Sequence, residues 1–433
     1  MTGGEARVVR PDRSQLRWDM MDLESLLSSD HRARMVWAFV EQMDLGELYA
    51  AIGSREGEAG RPAADPAVLL ALWLYATLEG VGSARELDRL VGRDVAYRWL
   101  AGGVPVNYHG LADFRIDHEA MLDRLLSESV TALLAEGLVD LNEVLADGTK
   151  IQASAGKGSF GREERIAKVE RRAVERIAQL KREIDADPAA SSRRRQAAQE
   201  RAARDIAARA AKARATLERL RKEKEGRAKT HSSEEAKKGD PKASLSDPEA
   251  RQMRFADGAI RAAYNIQIAA AGNGVVLAVH ASDRRNDTGF AVPMVEDIER
   301  RYGRRPGRLI IDSKYATQAD IVNLAGCKKG EVLVYSPPPE ERDEVKPDTL
   351  RRRNAQRARE PQALKDWRER MASPEGALIF NRRRRIELVN AHMKNRGFGR
   401  ITLRGLVKAR IVALLQAIAH NILLARHLRL SST

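Results

Sequence analysis

The sequence predicts an α/β protein, a mixed β-sheet carrying helical insertions and preceded by an all-α region. Three observations predict it. Apolar residues recur at helical spacing from Asp30 to Leu138. A charged, aromatic-poor stretch from Arg162 to about Lys238 carries a single helical stripe, and near residue 263 the apolar period falls to two.

The first element, "DHRARMVWAFVEQMDLGELYAAI", opens at Asp30, a cap candidate, and spaces Met35, Phe39, Met43 and Leu45 as one helical face. In "DPAVLLALWLYATLEG", Asp65 and Pro66 have the chemistry of a cap and first turn, and Gly80 closes the run. This helix is apolar nearly all round, so it belongs at the centre of its region. "SARELDRLVGRDVAYRWLAGG" reads as two short helices about Gly92. That is the outline of a helix-turn-helix, whose second helix would enter a major groove, and an ordinary helical hairpin gives the same pattern. Helix resumes after "PVNYHG" and continues to Gly137.

At "VDLNEVLADGTKIQASAGKG" the character changes to a short strand ended by Asp147-Gly148. Ile166, Val169, Ala173, Ile177, Leu180 and Ile184 then mark an amphipathic helix, "DADPAASS" breaks it, and a second long helix returns. The stretch 161–238 is thus a helical hairpin or coiled coil inserted into the sheet domain, its cations a solvated face. Residues 239–248 read as a loop. "AYNIQIAA" and "GVVLAVHA" are strands joined by "AGNG". A helix follows, with Asp287 placed to cap it. Leu309 to Ile311 form a strand running into Asp312, "TQADIVNLAG" a helix and "GEVLVYSPP" a strand. A polar second insertion over 338–376 holds one helical piece at "EPQALKDWRERMA". "IFNRRRRIELVNAHMKNR" makes one helix, and 401–433 end the chain as another. The expected organisation is a helical region over 1–140, a sheet domain over 141–400 and the final helix. Three antiparallel strands followed by alternating helices and strands give a mixed sheet with helices on both faces.

Length and charge bound the function. The 433 residues leave room for two or three domains, and 76 Lys and Arg against 61 acids give a net charge of +15. Such a field attracts nucleic acid or an anionic membrane surface. The longest apolar run, residues 67 to 78, falls short of the ~20 residues that span a bilayer, so no membrane partner is expected. The N-terminus has no apolar signal core, and Cys327, the lone cysteine, excludes an intrachain disulfide and a cysteine-based zinc site. A reducing cytoplasm is the expected compartment.

Three acids then stand out. Asp147 and Asp312 each close a strand, the place where open α/β sheets gather their chemistry, and Glu387 comes from a helix able to pack across that sheet. An Asp at a strand end is also a common turn former. Together, three hard oxygen donors suit Mg²⁺ or Mn²⁺, and paired ions about 3.5–4 Å apart serve phosphodiester cleavage. Positions 380, 383, 387 and 394 share one helix face, which sets Arg383 and Lys394 above and below Glu387. An i,i+4 Arg–Glu surface pair explains Arg383 without function, but not Lys394 on the same stripe.

Phe380, Arg383, Glu387 and Lys394 stand at the spacing Y-x2-R-x3-E-x6-K, with Phe for Tyr. This resembles the C-terminal signature of the DDE transposases encoded by bacterial insertion sequences. "GRPAADPAVLLALWLYATLEGVGSARELDRL", "LADGTKIQASAGKGSF", "SDPEARQMRFADGAIRAAYNIQIAA" and "IIDSKYAT" are similar to further blocks of that family, in the same order. The resemblance implies a ribonuclease H-like catalytic domain and an N-terminal region that binds double-stranded DNA. It implies Mg²⁺-dependent cleavage at terminal inverted repeats, strand transfer into target DNA, and a homodimer in the active complex of a bacterial, nucleoid-associated protein. By position, Asp147, Asp312 and Glu387 become the catalytic, metal-binding triad. Arg383 and Lys394 become DNA contacts near the cleaved end, and Arg85, Arg89, Arg98 and Arg115 become candidate contacts of the N-terminal region. Ser313 and Lys314 depart from the family's small residue and Gly before Tyr315. Lys314 there could reach a phosphate or crowd the turn. A DNA-binding derivative without catalysis and a non-transposing nuclease are the alternatives.

Overall fold

The computed structural model describes residues 22–54, 62–186, 193–230, 240–327, 330–338 and 347–432. The first part is helical throughout: α1 (Arg32–Glu41), α2 (Gly46–Ala50), α3 (Pro66–Leu78), α4 (Ala84–Arg93), α5 (Val95–Ala101), α6 (Tyr108–Asp117) and α7 (Glu119–Ala135). The Asp65 carboxylate accepts the Ala67 N–H and caps α3, with Pro66 in the first turn, as its chemistry predicts. Nearly every side chain of α3 is buried, which places it at the centre of the helices. Two caps differ from expectation. His31, not Asp30, caps α1, its ring accepting the Ala33 N–H. The α4–α5 break falls at Asp94, which accepts from Ala96 and Tyr97, while Gly92 lies inside α4. A single residue between the helices replaces the three- to four-residue turn of a helix-turn-helix.

The sheet begins at β1 (Glu143–Gln152), and β2 (Phe160–Gly161) leads into α8 (Glu163–Ala186) and α9 (Arg193–Thr230). These two helices are the predicted hairpin; most of its "DADPAASS" turn lies outside the described residues. β3 (Ala243–Ser244) pairs with β2 at the hairpin's root, inside a segment expected to be loop. β4 (Arg251–Arg254), β5 (Ile260–Ala271) and β6 (Val276–Ser282) follow. After α10 (Ala291–Tyr302) come β7 (Arg308–Ile310), α11 (Gln318–Ala325) and β8 (Leu333–Tyr335). The chain then forms α12 (Pro347–Ala358), α13 (Gln362–Ala372), α14 (Pro374–Asn381), α15 (Arg384–Asn395) and α16 (Leu406–Ser432).

The main sheet is six-stranded and mixed. β1 lies antiparallel to β5 along its whole length and parallel to β7, which is parallel to β8. The other edge of β5 takes β4 and then β6, both antiparallel. β4 is an addition to the predicted order. Successive β5 residues point to opposite faces, and all are buried from Ala262 to Ala271, so helices cover both faces there. The edge of β6 is closed by a side chain: Asn421 of α16 accepts the Val276 N–H and donates to its carbonyl. α16 is long and apolar enough to cross a membrane, yet 67% of its most apolar window is buried in the fold, as in a core helix. One hydrophobic core runs continuously from the N-terminal helices through the sheet to α16.

Candidate active site

β1 continues five residues past Asp147, to Gln152, so this carboxylate stands inside the strand and does not end it. What ends near it is the parallel pairing, which covers only Glu143–Arg308 to Leu145–Ile310. Two residues beyond that last pair stand Asp147 on one strand and Asp312 on the other. The parallel register therefore makes these aspartates neighbours at the carboxyl end of β7. Asp312 is exposed and accepts the Ser313 N–H, and its own carbonyl accepts from Tyr315 and Ser336. Asp147 is partly buried. Burial pushes its carboxyl up to about 6. Asp287 and Asp312 add to that shift, and the Arg383 guanidinium and the Gly148 N–H oppose it.

Glu387 sits on α15, which packs against β1. One turn on, buried Asn390 donates to the Asp147 carboxylate at 3.0 Å. Glu387 itself is half-exposed and paired with Arg383 at 2.5 Å, the i,i+4 surface pair anticipated from spacing. The Arg383 guanidinium lies 5.9 Å from the Phe380 ring centroid. Phe380, Arg383 and Glu387 thus share one face as predicted, and Lys394 is exposed further along. The helix carrying them is not continuous, since α14 ends at Asn381 and α15 begins at Arg384. Across the break Arg383, Arg385 and Ile386 donate to the carbonyls three residues back, a tightened turn.

The arginine run is largely structural. Arg382 pairs with Glu143 at 2.7 Å, and Arg385 donates to the Gly272 carbonyl, fastening α15 to β1 and to the end of β5. Both acceptors lie far away in sequence.

Beneath Asp147 is a polar cluster that sequence reasoning misread. Asp287 does not cap α10, whose N-cap is Phe290. Its carboxylate instead accepts from Asn265 at 2.7 Å and Gln267 at 2.6 Å, directly over Gly148, where any Cβ would collide with it. The Tyr315 ring is fully buried, and its hydroxyl has no partner among the described residues. Burial, then Asp287 and Asp147, raise that phenol far above its ordinary range. The available signal was in "AYNIQIAA", where Asn265 and Gln267 alternate onto one face of a buried strand.

The N-terminal candidates divide. Arg85, lying over the Tyr108 ring at 5.1 Å, Arg89, paired with Glu86, and Arg98 are exposed. Arg115, the fourth candidate DNA contact, is buried, donates to the Gly82 carbonyl and lies 4.1 Å from the Trp73 ring centroid. Lys314 is exposed, and its carbonyl accepts from Thr288, so the lysine does not disturb the turn after Asp312.

Two family models match the chain, Transposase DDE domain over residues 246–422 and Transposase domain (DUF772) over residues 21–117. The chain belongs to the insertion-sequence DDE transposases. Asp312, Arg383, Glu387 and Lys394 of the transposase fall within the first match and Arg85 to Arg115 within the second, with Asp147 between them. No curated protein and no solved structure matches the chain.

DDE transposases generally use divalent metal. Here Asp147 and Asp312 fit one: adjacent hard donors, one of them burdened by burial and like charge that a cation would relieve. Among the described residues no three His, Cys, Asp or Glu side chains are grouped closely enough to hold an ion. Arg383 occupies the carboxylate of the third predicted ligand, Glu387.

Proposed function

We propose that this transposase binds the terminal inverted repeats of its element as a homodimer, cleaves the DNA ends with Mg²⁺ or Mn²⁺, and transfers them into target DNA. The observation that carries the reading is the pair Asp147 and Asp312, side by side beside the Arg383–Glu387 pair. The antiparallel-then-parallel strand order supports a ribonuclease H-like catalytic domain. Bound divalent ions, a pair in our reading, supply positive charge against the scissile phosphate and make water a stronger acid.

The chain's own groups do the rest. Asp147 and Asp312 would hold the ions, and Asn390 fixes the Asp147 carboxylate in place. Glu387, three residues (about 4.5 Å of helix rise) from Asn390, would complete the ligand set once Arg383 exchanges its carboxylate for a DNA phosphate. Lys394 and Lys314 contact phosphates flanking the cut, and Arg85, Arg89 and Arg98 contact the duplex backbone further away.

The test is cleavage of an end-bearing duplex with Mg²⁺. Glu387→Gln is expected to abolish cleavage while inverted-repeat affinity stays nearly unchanged; equal cleavage by both proteins removes Glu387 from the mechanism. The Arg383–Glu387 pair also favours a second reading, a derivative that binds DNA without cutting it. That reading requires salt-sensitive binding and no metal-dependent nicking by the wild-type chain in the same assay.

A further inference from the structure

A cavity of about 60 Å³ lies where the N-terminal helices meet the C-terminal part of the chain. Its floor is Trp73 and Thr77 of α3 with Arg115 of α6. Its walls are the loop at Gly80–Gly82, the loop from Arg396 to Thr402, and Gln416 of α16. Gly80 and Gly397, both at positive φ, bring the two loops together: a side chain on Gly397 would press on the Gly80 backbone at 3.2 Å. The mouth is open, with Gly82, Arg400 and Thr402 exposed there.

Among the described residues three arginines line this cavity and no carboxylate does. Arg115 is only 7% exposed, and although its Nη1 donates to Gly82 at 2.7 Å, its Nε has no hydrogen-bond partner among the described residues. A buried Nη1 of Arg396 has none either among those residues. The contrast within the same molecule is informative. Buried Arg301 faces both Asp123 and Asp297, and buried Arg251 faces Asp283. A buried guanidinium without an anion is costly, so the arginine cluster has the charge and the donors of a site awaiting one. The space is several times the ~10–15 Å³ that admits one water, room for a tetrahedral oxyanion. Planar guanidinium donors suit its geometry.

We propose that the Arg115–Arg396–Arg400 pocket binds an oxyanion of the phosphate class, a DNA backbone phosphate or free inorganic phosphate. An occupant would bridge the loop after α3 and the loop after α15, already in contact at Gly80 and Gly397, and so tie the N-terminal helices to the element that carries Glu387. The proposal involves neither metal nor cleavage, so it stands or falls apart from the catalytic reading.

Thermal melts of the full chain in inorganic phosphate, at ionic strength held constant with sodium chloride, test it. The midpoint is expected to rise saturably with phosphate beyond chloride, and the rise to vanish in the Arg396→Gln, Arg400→Gln double variant. In phosphate-free buffer that variant is expected to melt no lower than wild type, because an uncompensated charge has gone; a purely structural role lowers both curves. Arg115→Lys, which keeps charge but not the fork, is expected to weaken the rise. Adding a metal-free duplex separates the sources. If the duplex abolishes the phosphate-dependent rise, a backbone phosphate is the occupant; if the rise persists on the complex, the free anion is. A phosphate effect no larger than chloride's, or one undiminished in the double variant, overturns the proposal.

Discussion

Asp147 is the most strongly shifted acid of the candidate site, and its environment gives a pH dependence with a definite sign. Its folded-state carboxyl is raised to about 6 from 3.8, so protonation is favoured by folding. The stabilisation it contributes is complete below about pH 4 and is lost as pH rises through 6. At neutral pH the metal-free protein therefore carries a buried charge costing roughly 2–3 kcal/mol. Asp147→Asn is expected to melt higher than wild type at pH 7.5 without metal and equally at pH 4, and to lose stabilisation by Mn²⁺. A lower melting point at pH 7.5 would show that the charge is well compensated. Asp287→Asn removes the largest like charge, so stabilisation by Mn²⁺ is expected to set in at a lower pH than in wild type; an unchanged onset would separate Asp287 from the site. Of these residues, Asp147 and Asp312 were legible because strand patterning flags where acids interrupt apolar runs. Asp287 was not, because its partners, Asn265 and Gln267, lie 22 and 20 residues away in sequence and only the fold brings them to it.

At the scale of elements, the helix pair α14–α15 explains why so basic a segment retains Glu387. Arg382 and Arg385 are spent on Glu143 and Gly272, and Arg383 on Glu387 itself, so the run fastens a helix to the sheet and balances one acid. The sequence showed the shared face of Phe380, Arg383 and Glu387, because helical spacing alone sets it. It did not show the break at Arg382–Arg383, because adjacent arginines reach acceptors that the sequence leaves far apart. Charge balance and metal ligation are thus successive states of one carboxylate in our reading. Arg383→Ala is expected to weaken DNA binding and, by removing the cation that opposes the Asp147 shift, to move the onset of Mn²⁺ stabilisation to higher pH. That is the reverse of the Asp287→Asn displacement. Onsets that move together, measured as melting midpoint against pH at fixed Mn²⁺, would contradict the electrostatic coupling.

Over the whole molecule, the predicted alternation of strands and helices was legible because period and turn chemistry are local, whereas the sharing of one core between the N-terminal helices and the sheet was not. Long-range pairs make that union: Arg301 of α10 and Arg410 of α16 both reach Asp123 of α7, and Arg410 also reaches Glu119. The inserted hairpin stands apart from it. Ile166, Ala210, Ala213 and Leu217 form a small core of their own with Ala243, separate from the main one. Its two ends are already joined, since Gly161 of β2 pairs with Ala243 of β3. Excision of 162–238 with a short glycine linker therefore asks little of the remaining backbone, although it forfeits the contact of Arg219 with Asp283. Val174 and Ile206 remain exposed on the hairpin, and we propose that a second copy of the chain packs there. The excised chain is expected to melt cooperatively within a few degrees of wild type and to sediment as a monomer where the full chain associates. Cleavage of paired ends would then fall more than metal-dependent nicking of single ends. An excised chain that keeps the wild-type oligomer assigns self-association to another surface, and one that fails to fold makes the hairpin part of the scaffold.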